Sequence, residues 1–118
     1  MSPAQLFAEV EKVSPGFRPV LAEHLGDYGE LLAHVLVADL LRYVGSHLES
    51  AEGSSGGGTE IQAILAVLDS GIVSGTDATV NAIAVSFCEH IETEPFFSRL
   101  RPLLGPGLRR EVGDLNAR

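Results

Sequence analysis

The sequence predicts an all-α fold, a compact bundle of about six helices around one long central helix. Three observations carry this expectation. Asp27 to Leu48 is apolar on nearly every side: Tyr28, Leu32, Val35, Leu36, Leu40, Tyr43 and Val44 form a broad stripe, and Leu31, Val37, Ala38 and Leu41 spread round the back. Between 59 and 91 two further stripes recur at the same offsets of 0, 3, 4, 7 and 11, first Ile61, Ile64, Leu65, Leu68 and Ile72, then Val80, Ile83, Ala84, Phe87 and Ile91. No segment alternates apolar and polar residues between hairpin turns, so no sheet is expected.

In chain order, Ser2-Pro3-Ala4-Gln5 has the form of a helix start, with Ser2 as cap, Pro3 in the first turn and Gln5 completing a capping box. Leu6, Phe7 and Val10 then face inward, and Ser14-Pro15-Gly16 breaks the helix. A second short helix is expected from Pro19, with Val20, Leu21 and Leu25 on one face and Gly26 at its end. Asp27 is read as the cap of the central helix and Glu30 as its capping-box partner, with Gly45 weakening the far end. Residues 52–59, centred on GSSGGG, are a flexible Gly/Ser loop between helices. It has no phosphate-binding character, because no strand precedes it, no Lys-Ser/Thr follows and no base lies nearby.

Thr59-Glu60-Ile61-Gln62 is a capping box opening the next helix, and Ser74-Gly75-Thr76-Asp77 turns the chain into its partner. Glu94-Pro95 starts a further helix with Phe96, Phe97 and Leu100 as core, Pro102 forces a kink or stop, and Leu108, Val112 and Leu115 mark a closing amphipathic helix. A core of Val35, Leu36, Leu40, Leu65, Leu68, Ile83 and Phe87 is expected.

The chain's 118 residues, 45% of them hydrophobic, suffice for one domain over 1–118. A single cysteine, Cys88, excludes an internal disulfide and fits a reducing, cytoplasmic setting. No signal-peptide pattern opens the sequence, and no apolar run reaches the roughly 18 residues of a spanning helix, so no membrane association is expected. The net charge of −8 lies entirely in the middle of the chain. Between Tyr43 and Ser98 there are eight acids and no Lys or Arg, which argues against nucleic acid as a partner.

Asp77-Ala78-Thr79-Val80-Asn81-Ala82-Ile83-Ala84 resembles the second helix of a HEAT-type repeat, with Asn81 where a basic residue is common, and implies a HEAT-like hairpin over 59–91. Two longer blocks, from Asp27-Tyr28-Gly29-Glu30-Leu31-Leu32 through His34-Val35 to Asp39, and Asn81 to Phe87, resemble a family of small uncharacterised all-helical bacterial domains, a domain of unknown function. Where that pattern often has a proline before the histidine, this chain has Ala33. The resemblance implies a helical fold over most of the chain and a loose link to toxin immunity, and it carries no mechanism.

Candidates for chemistry are His24, His34, His47, His90 and Cys88 with neighbouring carboxylates. Glu30 and His34, His90 and Glu94, and Cys88 and Glu92 are each four apart, enough for two ligands on one helix face but not for a site. No catalytic residue, metal site or cofactor is assigned. Asp39 is the anomaly, because it falls within the apolar stripe, where a carboxylate needs a partner. Arg42 at i+3, Arg18 or a helix N-terminus would serve, so Asp39, Arg42 and His34 are the expected buried polar residues. The leading functional reading is a non-enzymatic, immunity-like or regulatory interaction domain presenting Glu60, Asp69, Asp77, Glu89 and Glu92 to a basic protein partner. Alternatives are a small enzyme or ligand sensor centred on Asp39 and His34, and a homodimer closed over excess apolar surface.

Overall fold

A computed structural model describes residues 1–50 and 55–116. Helix α1 (Pro3–Val13) is capped at both backbone and side chain: Gln5 N–H donates to Ser2 Oγ at 3.2 Å, and Ser2 N–H donates to Gln5 Oε1 at 2.8 Å. A 3-10 turn (Pro15–Phe17) leads into α2 (Arg18–Tyr28), followed by α3 (Ala33–Ser50) and α4 (Ser55–Ser74). Helix α5 (Asp77–Ile83) continues through a π turn (Ala84–Cys88) into α6 (Glu89–Ile91). Helix α7 (Phe97–Leu100) tightens into a second 3-10 turn (Arg101–Leu103) at Pro102, and α8 (Pro106–Asn116) follows. The fold is all-α, with no strand among the described residues.

Helices α3 and α4 share the centre. Helix α4 packs on α1, α3, α5 and α8, while α3 packs on α4, α5 and the π turn and carries α2 on its other flank. Leu36, Val37, Leu40 and Val44 of α3 meet Ile61, Ile64, Leu65 and Leu68 of α4 and Ile83, Phe87 and Ile91 of the hairpin partner in one cluster. Burying each such side chain contributes about 1.5–3 kcal/mol, so this face of α3 is fixed. Gly45, expected to weaken α3, instead admits Phe96: a Cβ there would lie 2.8 Å from the ring's Cδ2.

The central helix starts at Ala33, not at Asp27. Gly29, the one residue with positive φ among those described (72°), adopts the left-handed conformation that ends α2, and its N–H donates to the Leu25 carbonyl at 2.9 Å. Gly26 stays inside α2 at a cost of about 1 kcal/mol relative to alanine, and Asp27 falls in the last turn of that helix rather than capping the next. The donor at the approach to α3 is served by His24, whose Nε2 accepts the Leu32 N–H at 2.9 Å.

The hairpin also departs from the expected boundaries. Helix α4 begins at Ser55, one turn before Thr59, because an upstream residue added to a formed helix gains a hydrogen bond without a new nucleation cost. Of the expected loop at 52–59, residues 52–54 lie outside the described residues. The π turn adds a residue to one turn and brings Ser86, Phe87 and Cys88 inward consecutively, leaving Val80 and Ala84 half-buried. Val35 is half-buried too, and Leu25 (42%) and Tyr28 (51%) are exposed, because α2 packs mainly on α3 and the preceding turn and fully buries a single side chain, His24.

Candidate functional site

Polar side chains gather on either side of Tyr43, and the first gathering is complete in itself. Ser14, fully buried after α1, donates to Glu60 Oε2 at 2.6 Å, and the Tyr43 hydroxyl donates to the same oxygen at 2.7 Å. The two hydroxyl oxygens lie 3.2 Å apart with both hydrogens directed at the carboxylate. His47 Nδ1–H donates to the Tyr43 carbonyl at 3.1 Å, which turns Nε2 towards Glu60 at 3.8 Å. The Ser14 hydroxyl holds the Glu60 carboxyl below its ordinary range, with Tyr43 and His47 acting the same way against burial. Burial raises the Tyr43 hydroxyl, and the adjacent Glu60 adds to that shift. This cluster ties α1, α3 and α4 together through Glu60 Oε2.

The second gathering is open. A cleft of about 490 Å³ separates α2 from α3, walled by Val20, Tyr28, Val35 and Tyr43 and lined by Glu23, Asp27 and Asp39. Arg42, the one cation of its lining, is paired with Asp39. Glu23 and Asp27 are exposed, sit four apart on α2 and have no ion-pair partner among the described residues. Two like charges at that spacing destabilise a helix by a few tenths of a kcal/mol. Between them His24 is only 3% exposed. Because Nε2 accepts from Leu32, the imidazole proton resides on Nδ1, and this buried N–H has no acceptor among the described residues.

The residues singled out in the sequence distribute as follows. Asp39 is bonded to Arg42, but its side chain is 24% exposed and that of Arg42 71%, so the pair sits at the cleft mouth and not in the core. His34 is exposed and faces the hairpin: Asn81 Nδ2 donates to its Nε2 at 3.4 Å, and its Nδ1–H donates to Ser86 Oγ at 3.0 Å. His34 lies on a different face of α3 from Asp39, so the two do not form one site. Cys88 is a buried thiol pushed up to about 12 by burial, with Glu111 and Glu89 adding to the shift. No three His, Cys, Asp or Glu side chains form a metal-binding group among the described residues.

Of the five acids assigned to a partner, two are committed inside the molecule. Glu60 belongs to the closed cluster, and Asp69 Oδ1 accepts the Leu108 N–H at 2.9 Å, holding the start of α8. Asp77, Glu89 and Glu92 are exposed. No helix among the described residues is long and apolar enough to cross a membrane.

A family model matches residues 7–116, from within α1 to the end of α8. The chain belongs to this family, described as Domain of unknown function (DUF7674). No curated protein and no solved structure matches it. In this DUF7674 chain the α2 wall of the open cleft brings together Glu23, which the sequence reading left unassigned, His24, named there only as a general candidate for chemistry, and Asp27 and Tyr28, placed there on the central helix. The signal was present as two acids at i and i+4 with no base on the same turns of α2. Reading Asp27 as a cap hid it, since the pair becomes visible only when α2 runs past Gly26.

Proposed function

We propose that this DUF7674 chain is a non-enzymatic helical interaction domain that takes a cationic side chain of a basic protein partner into the α2–α3 cleft. The observation that carries this reading is the unpaired Glu23 and Asp27 at a cleft whose one lining cation is already bonded to Asp39. A guanidinium or ammonium group entering there relieves the like-charge pair, while the rings of Tyr28 and Tyr43 offer apolar and cation–π contact. The exposed Asp77, Glu89 and Glu92 steer a basic partner from a distance, an effect that weakens as salt shortens the Debye length below about 10 Å. A regulatory or immunity-like role is the biological form of this reading, and the buried free thiol of Cys88 supports a cytoplasmic setting.

The test uses acetyl-Leu-Arg-Leu-amide and its citrulline counterpart, which keeps the shape and removes the charge. Titrated into ¹⁵N-labelled protein, the arginine peptide is expected to shift amides of α2 and the facing turns of α3, and the citrulline peptide to leave them in place. Equal shifts from both peptides, or none from either, contradict the reading.

A further inference from the structure

The groove does not end at the α2–α3 cleft. Arg42 and Ser46, one turn apart on α3, also line a second cavity of about 290 Å³, formed with Leu41, Glu49, Glu94 and Phe96. The two cavities are therefore two ends of one groove along the outer side of α3. Its ends are acidic, Glu23, Asp27 and Asp39 at one and Glu49 and Glu94 at the other, and its middle holds the Arg42 guanidinium. Asp39 and Glu49 are ten positions apart on one helix, which at about 1.5 Å per residue places the two ends about 15 Å apart.

Resting on the proposed reading of the α2–α3 cleft, we infer that this groove docks an extended segment of a partner protein carrying two cationic side chains about four residues apart. An extended chain covers about 3.3 Å per residue, so positions i and i+4 span about 13 Å and emerge on the same side, within side-chain reach of both acidic ends. One cation lies against Glu23 and Asp27, the other against Glu49 and Glu94, and Arg42 excludes a third basic residue between them. His24 is the independent sign of an occupant: this cleft-lining residue holds a buried Nδ1–H without an acceptor among the described residues, a donor that a main-chain carbonyl reaches only when α2 shifts and that a cation does not satisfy. Because α2 buries only His24, it is free to settle on the segment as it enters. A second copy of this chain is a poor occupant, since its net charge of −8 opposes the groove's own.

The experiment compares acetyl-Arg-Ala-Leu-Ala-Arg-amide with peptides in which either arginine is replaced by citrulline, titrated into the full chain and followed by ¹⁵N–¹H spectra. The two-arginine peptide is expected to bind about five-fold or more tightly than either single-arginine peptide, and to shift amides near Glu94 as well as those of α2. In the Glu49→Gln/Glu94→Gln variant that advantage is expected to vanish while single-arginine binding at α2 persists. If single-arginine peptides bind at α2 and the second arginine adds nothing, the extended groove is overturned and the cleft reading stands. If no peptide binds, both fall. Self-association by sedimentation velocity that blocks peptide binding overturns the proposal in favour of a second copy.

Discussion

The two sides of Tyr43 differ in one respect: whether the chain supplies partners for its own polar groups. On one side Ser14, Tyr43 and Glu60 satisfy each other, so a carboxylate at the junction of three helices is held by two short hydrogen bonds. On the other, Glu23 and Asp27 repel each other across one turn, and the buried Nδ1–H of His24 has no acceptor among the described residues. A neutral residue at 23 or 27 is enough to remove the like-charge repulsion. Under the proposed function, the like-charge pair at the cleft is what a binding surface costs the free protein.

The largest effect is expected on the closed side. Replacing Glu60 by Ala leaves the fully buried Ser14 hydroxyl and the Tyr43 hydroxyl with only each other, and should cost about 2–3 kcal/mol in urea unfolding. A loss below about 0.5 kcal/mol would remove the distinction between the two sides. Acid gives a smaller effect from the same residue. The Glu60 carboxyl is lowered from its ordinary 4.5 on folding, so it contributes stability that is complete above that value and lost as pH falls through the lowered one. Unfolding measured from pH 7 to pH 3 should therefore decline less steeply in Glu60→Gln than in the parent. Parallel declines would show that the carboxylate's bonds do not survive in solution.

The all-helical class and the Ser2–Gln5 cap were legible in the sequence because both rest on local rules, side-chain period and capping chemistry. The site was not, and the reason lies in two glycines three residues apart. Either Gly26 or Gly29 can end a helix, and the choice depends on which one the tertiary structure places at positive φ, information that no local window contains. Ending the helix at Gly26 makes Asp27 a cap. Ending it at Gly29 puts Asp27 one turn from Glu23 and turns His24 inward. Asp69 shows the same limit, since it was read as a surface acid yet holds the first turn of α8, 39 positions away. Asp39 stands out in the sequence with Arg42, Arg18 and a helix N-terminus as candidate partners, and the structure pairs it with Arg42, but the apolar stripe around it pointed to the core and not to a cleft.

The central claim is that Glu23 and Asp27 are kept for a partner and not for the fold, and urea unfolding of the Glu23→Gln/Asp27→Gln variant tests it most directly. Removing an unpaired like-charge pair at i and i+4 should leave stability unchanged or raise it by about 0.3–0.5 kcal/mol at low salt. A loss of about 1 kcal/mol or more would show that these carboxylates hold α2 in place, and would contradict the account.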